Sequence, residues 1–196
     1  MQTKCIKVGV VGALALAAVA VSAANYQVDT VHSTVGFAIK HLGISEVHGT
    51  FTNFSGIIEF DAAKPEAFKA NGTVQVASIN TGNPKRDGHL RSPDFFDADK
   101  LPEIKFETTS VQKEASGWVV KGQFTMHGVT KEIELRGELS GPVQDPFDKT
   151  KTRIGIAATT TLDRQDYGLT WNKTLDKGGL MIGNEVKISL NIEAAQ

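Results

Sequence analysis

Apolar and polar residues alternate along most of the chain between residues 26 and 193, and this pattern constrains the fold more than any other feature. In the stretch 131–139, Ile133, Leu135 and Leu139 fall on one face, while charged side chains fall on the other. A period of two residues is typical of β-strands that bury one face. The pattern therefore predicts an all-β chain.

Short turns rich in glycine separate the alternating stretches, as at His127-Gly128. Ser140-Gly141-Pro142 is expected to end one strand. Many short strands with tight turns indicate an antiparallel sandwich or barrel. Since composition does not shift inside 25–196, we expect one domain. The predicted strands are 26–30, 34–40, 47–51, 55–60, 73–79, 104–111, 118–126, 131–139, 154–162 and 185–193.

The stretch 83–101 interrupts the strand pattern and is the longest connection in the chain. We predict a helix over 84–90, and a further helical turn that Ser92 caps and Pro93 begins. A single turn is expected over 65–70. Long ordered connections are more often functional than short ones, so the stretch 83–101 is a candidate site.

The first residues have the pattern of a secretory signal peptide. Lys4 and Lys7 precede an uncharged run over 8–21, and small residues follow it. The run is too short for a transmembrane helix, which needs roughly 20 apolar residues. We therefore predict a signal peptide over 1–23 and a mature chain over 24–196 that is exported to the periplasm and spans no membrane. Cleavage would remove Cys5, the only cysteine.

Composition and motifs exclude several function classes. The net charge of −1 argues against a nucleic-acid binder. The chain carries no G-x-S-x-G nucleophile elbow, no phosphate-binding loop and no H-E-x-x-H zinc motif. The spacing of His41 and His48 fits no common zinc signature. We therefore expect no catalytic residue, no metal and no cofactor.

The densest group of polar residues lies in 86–97, and three interpretations of it stay open. As structure, Asp87 and Arg91 would share one helical face, four residues apart. As chemistry, Asp87 or Asp94 would form an acid–base pair with His89. As a binding site, Arg86, His89 and Arg91 would meet an anionic head group.

The chain has ten phenylalanines, and all of them follow the predicted signal peptide. In an ordinary core they would fill the interior. An eight-stranded barrel is also just wide enough to hold one slender ligand, which such side chains would suit. The sequence alone does not distinguish a filled interior from a hollow one.

The stretch 85–96 resembles the R-D-x-H-L-R-S-x-D-F block of the YceI-like, polyisoprenoid-binding family of exported bacterial proteins. Further pieces match in the same order along 26–193. Each piece is weak alone, but their order and spacing together are specific. The further pieces include 26–29, 41–43, 49–51, 102–106, 128–131, 163–169 and 183–186.

The resemblance implies an extended, lipocalin-like antiparallel β-barrel of about eight strands, with one short helical segment in a loop. Its tunnel would hold a long isoprenoid or fatty-acyl chain, with the head group near the opening. It implies homodimers as well, and transient contact with a membrane would accompany lipid transfer. The ligand-binding residues predicted from strand parity and from the polar block are Phe37, Ile39, Phe51, Ile58, Phe60, Phe106, Trp118, Phe124, Ile133, Leu135, Arg86, His89 and Arg91.

The favoured hypothesis is thus a periplasmic protein that binds, sequesters or transports a long apolar lipid without covalent chemistry. Two others stay open. One is a periplasmic enzyme that acts on an isoprenoid or quinone-type lipid. The other is a stress-linked structural protein with a filled core.

Overall fold

The computed structural model describes residues 23–175 and 178–196, and these residues form one antiparallel sheet of eleven strands with one short α-helix. Most of the predicted signal peptide, 1–22, lies outside the described residues. The elements are β1 (Ala24–Val28), β2 (Thr34–His41), β3 (Ser45–Phe51), β4 (Phe54–Phe60), β5 (Lys69–Gln75), β6 (Ile79–Asn80), α1 (Pro84–Arg91), β7 (Glu103–Glu114), β8 (Gly117–Met126), β9 (Val129–Gln144), β10 (Thr152–Asp163) and β11 (Ile182–Ala195).

Eight of the strands close into a barrel in the order β1, β4, β5, β7, β8, β9, β10 and β11. The ring closes where β11 pairs with β1, as in the pair between Ala194 and Val28. Closure gives every strand of the ring two neighbours and removes exposed strand edges. The predicted all-β, lipocalin-like antiparallel barrel with one short helix is therefore confirmed.

Strands β2, β3 and β6 extend the barrel beyond the ring. β11 leaves β1 and pairs with β2 from Asn191 to Val186. β2 then pairs with β3, and β3 with β6. The 3-10 turn Val76–Ser78 separates β5 from β6. The prediction of one strand over 73–79 was therefore wrong, because the chain bends there from β4 toward β3.

Strand β9 continues past Gly141 and Pro142, which were predicted to end it. The partners of Arg153 and Gly155 on β9 are Val143 and Ser140, so two residues of β9 oppose one of β10. Proline lacks a backbone N–H and is tolerated at such a bulge. Gly141 takes a φ of +95°, a conformation that other residues rarely adopt.

Helix α1 lies at one end of the barrel, which we call the α1 end. The side chain of Asn83 caps the helix by accepting a hydrogen bond from Arg86 N at 3.1 Å, and Pro84 follows as the first helical residue. Ser92 ends α1, and its hydroxyl donates to His89 O at 2.7 Å. The further turn predicted to begin at Pro93 is also present, and in it Ser92 Oγ accepts from Asp94 N at 3.4 Å and Ser92 O accepts from Phe95 N at 3.0 Å.

The opposite end, which we call the far end, is closed by a compact apolar cluster. Phe68, next to the 3-10 turn Pro65–Ala67, lies against inward-facing residues of the ring. No helix in the described part of the chain is long and apolar enough to cross a membrane. The buried members of the far-end cluster are Tyr26, Ile58, Phe60, Phe68, Ile154 and Ala194.

Candidate functional site

The barrel encloses an apolar cavity of about 430 Å³. Its volume lies within the range of small-molecule sites, roughly 300–1,000 Å³. The interior is therefore hollow, which argues against the hypothesis of a filled core. Apolar side chains from β2, β4, β7, β8, β9, β10 and β11 supply most of the wall.

Eight of the ten predicted apolar ligand-binding residues lie in the cavity wall. They are Phe37, Ile39, Phe51, Ile58, Phe106, Phe124, Ile133 and Leu135. Phe60 and Trp118 do not, although strand parity places them on the inner face. Phe60 belongs to the far-end cluster. Trp118 lines a second cavity of about 30 Å³ beside Pro65 and Phe68. Both residues lie too near the far end to reach the large cavity.

Glycine makes room for the largest rings in this wall. A Cβ atom at Gly49 would lie 2.4 Å from Cζ of Phe37, so a larger residue there would require that ring to move. The ring centroids of Phe37 and Phe51 are 5.8 Å apart, and those of Phe51 and Phe96 are 6.3 Å apart in an edge-to-face arrangement. The aromatic wall therefore continues from β2 and β3 into the loop that follows α1.

The cavity approaches the surface beside α1. Arg86 lines the cavity and is exposed to solvent, and His89 lines it while 41% of its side chain is exposed. His89, Phe95 and Trp171 form an aromatic cluster with ring centroids 5.0–5.1 Å apart. This rim joins the α1 segment to the loop that follows β10.

The polar groups of Arg86 and Asp87 are already bonded within the protein. Asp87 is buried, and its Oδ1 accepts hydrogen bonds from Thr81 N at 2.9 Å and Thr81 Oγ1 at 2.6 Å. Arg86 donates to Thr81 Oγ1 and to Thr81 O. The two residues therefore fasten α1 to the chain segment before it. Asp87 bonds to Thr81 and not to His89, contrary to one predicted acid–base pair.

Arg91 was predicted to bind a head group but does not line the cavity. Its Nη1 donates to Ala77 O at 3.3 Å. The predicted pair of His89 and Asp94 does form, with 2.9 Å between His89 Nε2 and Asp94 Oδ2. Of the three predicted head-group residues, Arg86 and His89 thus lie at the cavity, and both are bonded to neighbours.

Arg164 is a buried charged residue of the cavity wall that was not predicted from the sequence. It follows β10 in the 3-10 turn Arg164–Tyr167, and its side chain is only 3% exposed. Its Nε donates to Gly183 O at 2.9 Å and its Nη1 donates to Leu169 O. Its Nη2 is buried without a partner. Burial lowers the pKa of the Arg164 guanidinium, and the charge of Asp163 acts in the opposite direction.

Strand parity was the signal that could have identified Arg164. The even-numbered residues from Ile154 to Leu162 face inward on β10, and Arg164 continues that series. The register pairs Leu162 with Val186 and Asp163 with Glu185 on β11. Arg164 and Asn184 are the next residues along the two segments, beyond this last pair. The Oδ1 atom of Asn184 is also buried without a partner.

A separate charged cluster lies near the junction of β1, β10 and β11. Arg153 donates to Asp145 at 2.5 Å, to Asp29 at 2.9 Å and to Glu193 at 2.6 Å. Hydrogen bonds from His32 and Arg153 hold the pKa of Asp29 far below its usual range, and Asp29 raises the pKa of His32. Arg153 and two backbone N–H groups lower the pKa of Asp145 to about 2.

Ligand atoms of Asp29, His32 and Glu193 lie within 4.8 Å of one another, a spacing that a metal ion could use. Arg153, however, forms ion pairs with both Asp29 and Glu193, so the cation that balances these two carboxylates is part of the chain. We assign the cluster a structural role.

The sequence model of the YceI-like domain matches residues 26–194. The chain belongs to the YceI-like family. A relative, a UPF0312 protein of Photorhabdus laumondii subsp. laumondii, is 42% identical over 158 residues, which are 80% of this chain and 81% of that protein. A UPF0312 protein of Staphylococcus aureus strain N315 is 38% identical over 169 residues, which are 86% of this chain and 96% of that protein. The family predicted from residues 26–193 is therefore confirmed.

Solved structures share the barrel of this YceI-like chain. The YceI protein of Campylobacter jejuni superposes with a TM-score of 0.68 at 33% identity and covers 81% of this chain and 90% of its own. BcnA of Burkholderia cenocepacia gives a TM-score of 0.71 at 22% identity, and the superposition covers 85% of this chain and 99% of BcnA. A polyisoprenoid-binding domain from Saccharophagus degradans gives a TM-score of 0.62 at 18% identity, and the superposition covers 86% of this chain and 97% of that domain. The last two show likeness of fold alone.

Proposed function

We propose that this chain binds a long apolar lipid, of isoprenoid or fatty-acyl type, inside its barrel and without covalent chemistry. The observation that carries the proposal is the cavity of about 430 Å³, whose wall is mostly Phe, Ile, Leu and Val side chains. The polyisoprenoid-binding domain of Saccharophagus degradans, which has the same fold, supports an isoprenoid as one class of ligand.

Burial of apolar surface is the source of affinity in such a site. Each Å² of apolar surface removed from water contributes about 25 cal/mol, before the cost of ordering the ligand. The cavity is preformed within a closed ring of strands, so little of that gain is lost to rearrangement of the protein. Long chains without polar groups along their length are the ligands that this wall favours.

The cavity volume bears on the length of chain that it holds. A volume of about 430 Å³ is typical of sites that enclose a drug-sized ligand, so we expect an acyl chain of ordinary length to fit within that space. A longer polyprenyl chain would extend past the aromatic rim of His89, Phe95 and Trp171 at the α1 end.

Catalysis on a bound lipid is the second candidate, because His89 and Asp94 form a hydrogen-bonded pair at the cavity rim. The pair has the geometry of a general base and its orienting carboxylate. If this candidate is right, an activity on a quinone or prenyl substrate follows the titration of a histidine and is lost in His89→Ala. Binding alone predicts that His89→Ala leaves the bound lipid chemically unchanged, as the native protein does.

The leader over 1–23 supports export to the periplasm as a soluble protein. Leu42, Ile44 and Leu180 are apolar and exposed, and the first two lie in the turn between β2 and β3 at the α1 end. They support transient contact with a lipid surface there during transfer. Homodimerisation is part of the proposal too, and its readout is the mass of the native species.

Native mass spectrometry of the protein purified from periplasm tests the proposal. We expect a stoichiometric adduct that organic solvent removes and that proves to be a prenyl or acyl lipid. The same spectrum gives the oligomeric state. A protein that carries nothing, and takes up neither a polyprenol nor a fatty acid when challenged, would contradict lipid binding. Cell fractionation tests the compartment separately.

A further inference from the structure

Arg164 is an unusual residue for an apolar cavity, because a buried cation normally has an anionic partner. Two of its donors are satisfied by backbone carbonyls, those of Gly183 and Leu169. Backbone carbonyls supply hydrogen bonds but no full negative charge. The charge of Asp163 acts on Arg164, but the Asp163 carboxylate accepts a hydrogen bond from Gln165 N and none from the guanidinium.

The third nitrogen of the Arg164 guanidinium, Nη2, has no hydrogen-bond partner among the described residues. Nη2 of Arg164 and Oδ1 of Asn184 are the buried side-chain polar atoms without a partner in the described ranges, 23–175 and 178–196. Native proteins leave few buried polar atoms unpaired, and each one calls for a physical reason. Here Arg164 directly follows β10 and Asn184 lies on β11, each one residue beyond the last pair of these strands, Asp163 and Glu185. The hydrogen bond from Arg164 Nε to Gly183 O holds the guanidinium beside the neighbour of Asn184.

We propose that Arg164 and Asn184 bind the carboxylate head group of a long-chain lipid whose tail occupies the apolar cavity. A carboxylate oxygen would accept from Arg164 Nη2 and balance the charge of the guanidinium. The amide of Asn184 would turn about its last bond and donate to the second oxygen through Nδ2. Oxygen and nitrogen of an Asn amide exchange places in such a turn with no change in shape.

Arg86, His89 and Lys105 also line the cavity and are poorer candidates for this role. The side chain of Lys105 is 58% exposed and paired with Glu103. Arg86 already donates to Thr81 through Nε and Nη2 and is exposed, so water competes for it. His89 is bonded to Asp94. A charge-assisted hydrogen bond is strongest where water is excluded, and Arg164, at 3% exposure, is the buried cation of this wall.

This inference rests on the proposed lipid binding and specifies its head group. The test compares three probes with the same tail: hexadecanoic acid, hexadecan-1-ol and methyl hexadecanoate. Affinities are measured by titration of the delipidated protein. We expect the native protein to bind the acid on the order of 10- to 100-fold more tightly than the alcohol or the ester, as one charge-assisted bond implies.

Arg164→Met keeps a long side chain and removes the charge. We expect it to lose that preference and bind acid and alcohol about equally, while the alcohol keeps its native affinity to within about threefold. Asn184→Leu is expected to weaken binding of the acid alone. Arg136→Met removes an exposed arginine from the outer face of β9 and serves as the control that retains native binding.

The outcomes separate the two proposals. If the native protein binds none of the probes and no polyprenol, lipid binding itself fails. If it binds acid, alcohol and ester equally, or a polyprenyl phosphate more tightly than the acid, the assignment of a carboxylate fails while lipid binding stands. If Arg164→Met does not fold, the comparison of probes on the native protein and on Asn184→Leu still decides the assignment.

Discussion

The ring of Phe106 lies directly over Gly122 on the inner face of the barrel. A Cβ atom at Gly122 would come within 2.4 Å of two carbons of that ring and within 2.6 Å of the backbone oxygen of Glu107. The register pairs Phe106 with Phe124, two residues further along β8. Gly122 therefore allows an aromatic residue from β7 to turn into the cavity while the two strands keep their spacing.

Gly122→Ala is expected to destabilise the protein, because the ring can move but the Glu107 carbonyl belongs to the sheet. Overpacking of this kind costs about 1–3 kcal/mol of the free energy of unfolding, measured by denaturant titration. Gly155→Ala is the matched control, since the nearest atom to its Cβ would be Ser140 Cβ at an ordinary 3.8 Å. Equal effects of the two substitutions would contradict the close contact.

Arg153 holds three carboxylates together where the ring of strands closes. We expect Arg153→Met to lower the melting temperature by several degrees, because Asp145, Asp29 and Glu193 would then repel one another without the guanidinium that all three contact. Arg136→Met breaks two ion pairs on the exposed face of β9, and exposed pairs contribute little. A melting temperature that falls no further for Arg153→Met than for Arg136→Met would contradict the structural role.

The same cluster predicts how stability responds to acid. The pKa of Asp145 is lowered from 3.8 to about 2, and the pKa of Asp29 is lowered further. A carboxyl whose pKa is lower in the folded state stabilises the protein above pH 4, and that contribution disappears as the pH falls toward 2. We expect the free energy of unfolding to fall over this window in the native protein, and to fall less steeply in Arg153→Met.

His32 contributes with the opposite sign, because its pKa is raised in the folded state by Asp29. The contribution of His32 to the free energy of unfolding is complete below pH 6.5 and is lost as the pH rises through the raised pKa. Unfolding titrations of the native protein and of His32→Ala between pH 5 and pH 8 measure it. We expect the two proteins to differ more at pH 5 than at pH 8.

Strand parity predicted the face of each residue but not its height along the barrel. Ile133, Leu135 and Phe124 were placed correctly because alternation fixes which side chains point inward. Phe60 and Trp118 share that inward face and still miss the cavity. Height depends on strand stagger and on which loops fold back, as the segment with Phe68 does at the far end. Those contacts are distant in sequence.

The head-group residues were predicted from a local cluster of charge. The sequence draws attention to 86–91 because basic residues cluster there, but the structure shows that Arg86 and Arg91 are bonded to the chain near Thr81 and Ala77. Arg164 was not among the predicted site residues. Its position becomes visible only when β10 parity is extended past Asp163, where a charged residue would be expected to face solvent.

Filling the cavity is expected to abolish lipid binding without unfolding the barrel. Ala158 points into the cavity from β10, and Ala157 beside it is exposed on the outer face. Ala158→Phe would occupy the space that the lipid tail needs. We expect its affinity for hexadecanoic acid to fall by about tenfold or more, and Ala157→Phe to bind as the native protein does. Titration of both variants with hexadecanoic acid measures the two affinities. Equal affinities of Ala158→Phe and Ala157→Phe would contradict a ligand inside the barrel.

The bonds between Asp87 and Thr81 are expected to hold α1 against the cavity rim. Asp87→Ala would leave the N–H and the hydroxyl of Thr81 without their acceptor, at a cost of about 1–3 kcal/mol. Because the helix is short, we expect the loss to appear as local opening and not as global unfolding. Hydrogen exchange of residues 84–91 should quicken in Asp87→Ala, while the exposed neighbour Asp99→Ala keeps native exchange rates. Faster hydrogen exchange in all the strands as well as in α1 would contradict this prediction. It would mean that Asp87 stabilises the whole barrel and that its bonds to Thr81 do not act on α1 alone.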